Sequence, residues 1–164
     1  MKLYERIVNN LCSHYNDKKY WNMKSKLNNK KTSKIIKIYY LFRMKKMEAF
    51  NCASLGNRLS GGSYFCEKPN LPHGIKGIFI TDTSKIGENV TIFQQVTIGL
   101  KDFSGDRGPI IGNNVVIGTG AKIIGPVKIG NNVKIGANCI VVKDIPDNAT
   151  VVMQEPRIII KERN

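Results

Sequence analysis

An isoleucine returns every six residues through the second half of this 164-residue chain. Ile80, Ile86, Ile92 and Ile98 form one run. Ile111, Ile117, Ile123, Ile129, Ile135 and Val141 form a second. Two residues before most of these anchors sits another small or branched residue: Ser84, Val90 and Val96, then Val115, Ala121, Val127, Val133 and Cys139. Glycine follows the anchor at Gly87, Gly99, Gly112, Gly118, Gly130 and Gly136. A fixed period of this kind marks a repeat architecture, and a period of about six residues points to a parallel β-helix.

Side chains alternate along a strand, so in Val90-Thr91-Ile92 the two apolar residues share a face and Thr91 points outward. Turn formers come next: Gly87-Glu88-Asn89, Gly112-Asn113-Asn114, Gly130-Asn131-Asn132. Gly and Asn tolerate the left-handed backbone of a sharp corner. Each unit is thus a very short strand and a corner. One unit cannot bury its apolar face alone, whereas stacked coils can. Three units per coil give a three-sided prism. A β-sandwich is disfavoured, because its strands recur every ~8–12 residues.

The period breaks once. Ile98 and Ile111 are 13 residues apart. The polar, turn-rich insert Leu100-Lys101-Asp102-Phe103-Ser104-Gly105-Asp106-Arg107-Gly108-Pro109 must therefore leave the wall as a loop. Loops on a rigid scaffold often carry function. The expected organisation is a basic helical region over 1–54, a β-helix domain over 55–152 with loop 99–110, and a tail over 153–164. Residues 55–73 form a Gly-rich transition into the coils.

The net charge of +14 is concentrated at the N-terminus. Residues 1–50 hold 13 Lys+Arg against 3 Asp+Glu; residues 51–164 hold 13 against 9. Helices are expected near 16–28 and 32–50, the second capped by Thr32 or Ser33. Ile35, Ile36, Ile38, Tyr39, Leu41, Phe42 and Met47 give the second an amphipathic pattern. Such charge suits a polyanion or an anionic membrane face. It also suits a solvated face of helices packed on the end of the coils, and that reading is taken. No nucleic-acid motif accompanies the charge, so no nucleic-acid partner is expected. Peripheral membrane contact through the basic N-terminus stays open. No apolar run reaches the ~18 residues of a membrane span, and Met1-Lys2-Leu3-Tyr4-Glu5-Arg6 lacks the apolar run of a secretory signal. Cys12, Cys52, Cys66 and Cys139 are scattered, as in reduced cytosolic thiols. With only His14 and His73 present, no metal site is expected. A cytoplasmic location follows, with the inner membrane face as a variant.

Several segments resemble the hexapeptide-repeat acyltransferases, and within them the serine acetyltransferase-like group. They are Leu71-Pro72-His73-Gly74, Ile86 to Gly99, Ile117-Gly118-Thr119-Gly120-Ala121-Lys122-Ile123-Ile124-Gly125, and Val142-Lys143-Asp144-Ile145-Pro146-Asp147-Asn148. The similarity covers residues 55–152 and is nearest to short members acting on bacterial surface polysaccharides. It implies a left-handed helix, a homotrimer with a cofactor groove between prisms, and acetyl transfer from acetyl-CoA to a hydroxyl. His73 matches the family's catalytic histidine, a suitable base because the residue type ordinarily titrates near pH ~6.5. Gly99, Thr119, Ala137 and Lys143 match cofactor-contacting positions, Lys143 near the nucleotide end. Arg107 matches a substrate-binding arginine of the loop.

The chain also departs from the serine enzymes. Pro72 replaces an aspartate before the histidine, and Gly108 replaces a histidine after Arg107. Arg58 stands where the family's orienting carboxylate lies, leaving Glu67 or a backbone carbonyl to hold His73. These changes point to a carbohydrate acceptor in polysaccharide biosynthesis, with Phe79, Tyr64 and Phe103 as flat faces for a sugar ring. Serine O-acetylation is the first alternative. A non-catalytic β-helix that binds or only supports is the second.

Overall fold

The structure is a computed structural model and describes residues 14–59, 61–102 and 107–160. Cys12, Phe103 and the tip of the loop lie outside these residues. Two helices come first: α1 (Asp17–Asn28), capped by Asn16, and α2 (Lys34–Phe50), capped by Ser33. Fourteen short strands follow, β1 (Asn57–Arg58) to β14 (Thr150–Val151). β1 and β2 (Gly61–Gly62) form an antiparallel pair. The other twelve make three parallel sheets of four strands each.

Face 1 stacks β3 (Tyr64–Phe65), β5 (Lys85–Ile86), β8 (Ile110–Ile111) and β11 (Lys128–Ile129). Face 2 stacks β6 (Thr91–Ile92), β9 (Val116–Ile117), β12 (Lys134–Ile135) and β14. Face 3 stacks β4 (Phe79–Ile80), β7 (Thr97–Gly99), β10 (Lys122–Ile124) and β13 (Ile140–Val141). The chain visits the faces in a fixed rotation, which makes the three-sided prism. It is a left-handed parallel β-helix.

The inward rows are the repeat anchors. Ile92, Ile98, Ile117 and Ile123 are fully buried, as are Val90, Val96, Val115, Ala121 and Val133 between them. Each buried branched side chain contributes about 1.5–3 kcal/mol. Registers pair like with like, Ile80 with Ile98, Ile98 with Ile123, and Ile123 with Val141. The edge between faces 1 and 2 turns through left-handed asparagines: Asn89, Asn114, Asn132 and Asn148 all have φ between 50° and 61°. Their amides form a ladder, Asn89 donating to Asn114, Asn114 to Asn132 and Asn132 to Asn148, at 2.9–3.1 Å.

Coiling starts before the six-residue period does. Tyr64 and Phe65 already pair with Lys85 and Ile86, and Ser54 and Asn70 bridge to Phe79 and Thr91. Apart from Ser54, the last residue of the region read as helical, these rungs lie within the segment read as transition, and all of them lack the isoleucine signal. Their inner sides are filled from the helices and from Leu55, Ser63 and Ile75.

α2 does not use all its apolar residues for packing. Met44 and Glu48 are buried, while Ile35, Ile38, Tyr39, Phe42 and Phe50 are more than half exposed. Among the described residues no helix is long and apolar enough to cross a membrane.

A buried polar cluster ties the helices to the first coil. Glu48 Oε1 accepts from Tyr20 Oη at 2.6 Å and from the Leu55 amide at 3.1 Å. Lys24 Nζ donates to Asn57 Oδ1 at 2.6 Å and to Ser63 Oγ at 3.2 Å. Burial lowers Lys24 from 10.5 to about 8, against the pull of Glu48. Burial, with Glu48 beside it, raises Tyr20; burial also raises Tyr15. The consequence is a stability maximum in alkali. Between pH about 8 and 10.5 the unfolded chain keeps a Lys24 proton that the folded chain has lost, so stability rises with pH. Above about pH 10 the unfolded tyrosines ionise while the folded ones do not, and stability falls. Urea midpoints measured across this range should rise and then fall, and Lys24→Met should flatten the rise.

Candidate active site

His73 sits on the turn that carries the chain from the Asn70 bridge on face 2 to β4 on face 3. The turn is tight. The Gly74 amide bonds the Leu71 carbonyl at 3.0 Å, and Gly74 and Gly77 have φ of 68° and 65°. It is supported from the helical region: the Gly77 amide bonds the Asn51 carbonyl at 2.9 Å. The Tyr15 ring lies 3.5 Å from where a Gly74 Cβ would stand. His73 is exposed, and its ring centroid is 5.9 Å from that of Phe93 on the coil below.

The edge between faces 2 and 3 continues downward from this point. The Gln95 amide bonds the Lys76 carbonyl at 3.0 Å, Gly120 bonds Gln94 at 3.0 Å, and Asn138 bonds Thr119 at 2.8 Å. Gln95, Gly120 and Asn138 share the left-handed conformation, so three coils turn identically. Thr119 and Ala137 therefore lie on successive coils of the edge that His73 heads. Thr119 Oγ1 is 3.4 Å from Gln94 Oε1. Gly118 leaves no space for a side chain, since a Cβ would stand 2.7 Å from the Ala137 nitrogen. Lys122 Nζ clamps the edge by donating to the carbonyls of Gln95 at 2.9 Å and Gly120 at 3.0 Å.

Gly99 and Lys143 occupy a different edge, between faces 3 and 1. The Gly125 amide bonds the Gly99 carbonyl at 2.9 Å, and Lys143 follows β13, the last strand of face 3. The insert leaves from this edge. Arg107 is exposed there and makes no hydrogen bond or ion pair with another described residue. Gly108 and Pro109 return into the wall and are buried. Face 3 thus separates two groups: His73, Thr119 and Ala137 on one edge, and Gly99, Arg107 and Lys143 on the other.

Glu67 does not join either group. It lies on the edge between faces 1 and 2, where its carboxylate accepts the Asn89 amide hydrogen. Below it the corner is tied in the opposite sense, each amide donating to the side chain of the next coil: Glu88 to Asn113, Asn113 to Asn131 and Asn131 to Asp147. Glu67 is thus the top rung of a corner ladder, and among the described residues no carboxylate contacts His73. Arg58 is paired with Asp82. Of the aromatic residues considered for a sugar, Tyr64 and Phe79 do not share a face. Tyr64 opens face 1 and Phe79 opens face 3. Among the described residues no group of three or more His, Cys, Asp or Glu is placed to hold a metal ion.

Comparison with known proteins gives one consistent group. Residues 108–143 match the model of the bacterial transferase hexapeptide (six repeats) family. A serine acetyltransferase of Helicobacter pylori is 44% identical over 94 residues, 57% of this chain and 54% of that protein. One from Mycobacterium tuberculosis is 47% identical over 77 residues, 46% of this chain and 34% of that protein. A crystal structure of serine acetyltransferase isoform 3 from Entamoeba histolytica in complex with cysteine superposes with a TM-score of 0.65 at 32% identity, covering 79% of this chain and 47% of that one. The resemblance is to the serine acetyltransferase-like hexapeptide-repeat transferases. The chain spans about half the length of the curated relatives it matches.

These findings correct the carbohydrate expectation, and the surface-polysaccharide context with it. Relatives at 38–47% identity are serine acetyltransferases. The carbohydrate reading rested on missing side chains. A lost contact removes one grip on an amino acid; it does not build a sugar site, and among the described residues Tyr64 and Phe79 stand on different faces.

Gly108 shows how local such a departure is. A Cβ there would stand 2.7 Å from Thr81 Cγ2 and 2.9 Å from the Ser84 backbone nitrogen. The family's histidine cannot be restored here without moving the wall. Gly108→Ala should destabilise the fold by about 1–3 kcal/mol, the usual range for overpacking. Urea unfolding would show it as a lower midpoint at unchanged slope.

Proposed function

We propose that this chain is an acetyl-CoA-dependent O-acetyltransferase with L-serine as acceptor. The observation that carries the reading is the edge headed by His73 and continued by Thr119 and Ala137, taken with the serine acetyltransferase relatives. An exposed imidazole at the head of an edge whose lower coils carry Thr119, Gly120 and Ala137 leaves room for a thioester arm. His73 takes the proton of the serine hydroxyl as its oxygen attacks the thioester carbonyl. The tetrahedral intermediate collapses to the acetyl ester and a CoA thiolate, which receives the proton from the imidazolium. Thr119, Ala137 and Gly99 offer close backbone approach to the pantetheine, and Lys143 a cation for the nucleotide phosphates. Arg107, with no hydrogen bond or ion pair among the described residues, offers a guanidinium suited to the serine carboxylate.

A homotrimer is part of the proposal. Arg107 and Lys143 lie across face 3 from His73 in one chain. Packing prisms side by side sets the edge of one against the edge of another, which brings the two groups into one groove. A cytoplasmic location goes with use of acetyl-CoA.

Release of CoA thiol from acetyl-CoA should depend on L-serine, and His73→Ala should lower it by about 10²–10⁴-fold. Binding of CoA, measured by calorimetry, should stay near that of the parent. Thiol release that ignores L-serine would remove serine as acceptor. Undiminished turnover in His73→Ala would remove His73 as the base.

A further inference from the structure

The outward side of α2 has no role in the proposed reaction. Its exposed apolar residues, Ile35, Ile38, Tyr39, Phe42 and Phe50, follow helical spacing and so share one stripe. Phe42 is 61% exposed and Ile35 80%, far more than packing of the helix requires. A hollow lined by His14, Phe42, Arg43, Lys46, Met47 and Phe50 continues the stripe toward the end of the helix.

Cations flank this stripe. By helical spacing Lys34, Arg43 and Lys45 lie along its sides and Lys46 within it, while Lys37 lies on the opposite side; the one acidic residue of α2, Glu48, is buried and pairs with Lys45 at 3.0 Å. The long side chains lie along the apolar surface. Lys46 Nζ is 5.7 Å from the Phe42 ring centre, and the Arg43 guanidinium is 5.8 Å from that of Tyr39. Arg43 also donates to Tyr39 Oη at 3.0 Å. An apolar stripe between cationic heads is the pattern of a helix lying in a lipid interface.

We infer that α2 docks on an anionic phospholipid surface, with the stripe in the acyl boundary and the rim on the headgroup phosphates. The charges select this occupant. A second copy would set one cationic rim against another, in a chain of net charge +14. A nucleic acid would meet the cations but leave the aromatic and aliphatic stripe in water. An anionic bilayer matches both. The inference is independent of the serine reaction, since none of the residues proposed for it lies on α2.

The test uses the full-length protein in sedimentation with vesicles. Binding is expected to phosphatidylglycerol-rich vesicles and not to pure phosphatidylcholine. It should weaken as salt is raised, because the headgroup attraction is screened. Ile38→Asn with Phe42→Asn should lower partitioning by roughly tenfold or more, since it places amides in the acyl boundary. Both positions are exposed, so acetyl-CoA turnover and the unfolding midpoint should stay at parent values. Arg43→Glu with Lys46→Glu should weaken binding to anionic vesicles, and the chain should keep its parent light-scattering mass. Failure to bind phosphatidylglycerol vesicles would overturn the inference. So would binding that survives the Ile38/Phe42 change, or an oligomer in solution that this change dissolves. Salt-sensitive binding to RNA with none to vesicles would reassign the surface to a polyanion.

Discussion

No coil of this molecule can exist without its neighbours. A strand of two residues buries almost nothing alone, and each rung is complete only when its backbone and its isoleucine meet the rung above and below. The vertical stack Ile80, Ile98, Ile123, Val141 is one such column. Register therefore leaves little tolerance. A slip of one residue would turn the anchors outward on every face. The left-handed corners enforce the register, because Asn89, Asn114, Asn132 and Asn148 pair only when coils are aligned. The rigidity of the edges follows, and so does their use as a row of fixed backbone groups.

The top of such a stack is an open end, and the helical region closes it. It does so through polar groups. Glu48, Tyr20, Lys24, Asn57 and Ser63 exchange hydrogen bonds where the first coil would otherwise present unpaired backbone to water. A buried network is stable only when its members are satisfied together, which makes the helices and the first rung one cooperative unit. The same unit holds the His73 turn, through the Asn51 carbonyl and Tyr15. The proposed base is thus positioned by the N-terminal cap as much as by the coils.

The inward residues were legible because period six fixes which side chains point in. Ser84, Ala121 and Cys139 were read as interior on spacing alone, and all three are buried. The period is blind to vertical neighbours. Which corner lies over which depends on the number of units per coil and on the length of the insert. His73 and Glu67 are close in sequence, yet face 2 lies between their corners, and Glu67 serves the ladder at Asn89. The first rungs were missed because Tyr64, Phe65 and Asn70 carry no anchor isoleucine. The cluster at Glu48 is not legible in the sequence, because five polar residues scattered between Tyr20 and Ser63 form no pattern. The amphipathic character of α2 was legible, but not which apolar residues the cap would use and which it would leave outside.

The departures from the serine enzymes mislead when each is read as a lost contact. Gly108 is the clearest case. Its neighbours Thr81 and Ser84 have closed over the position, so glycine there is a packing requirement and not an empty place in a binding site. Pro72 restricts the backbone immediately before His73, in a turn that Gly74 tightens from the other side. Both changes act on main-chain geometry at the two edges of face 3. In the proposed trimer the site is assembled from two prisms, so it would depend on the placement of those edges more than on any one side chain. Recognition of the acceptor would then rest on how closely a neighbouring edge, with Arg107 exposed on it, approaches His73. Packing between prisms would set that distance, which is why the acceptor is not legible at a single position in the chain.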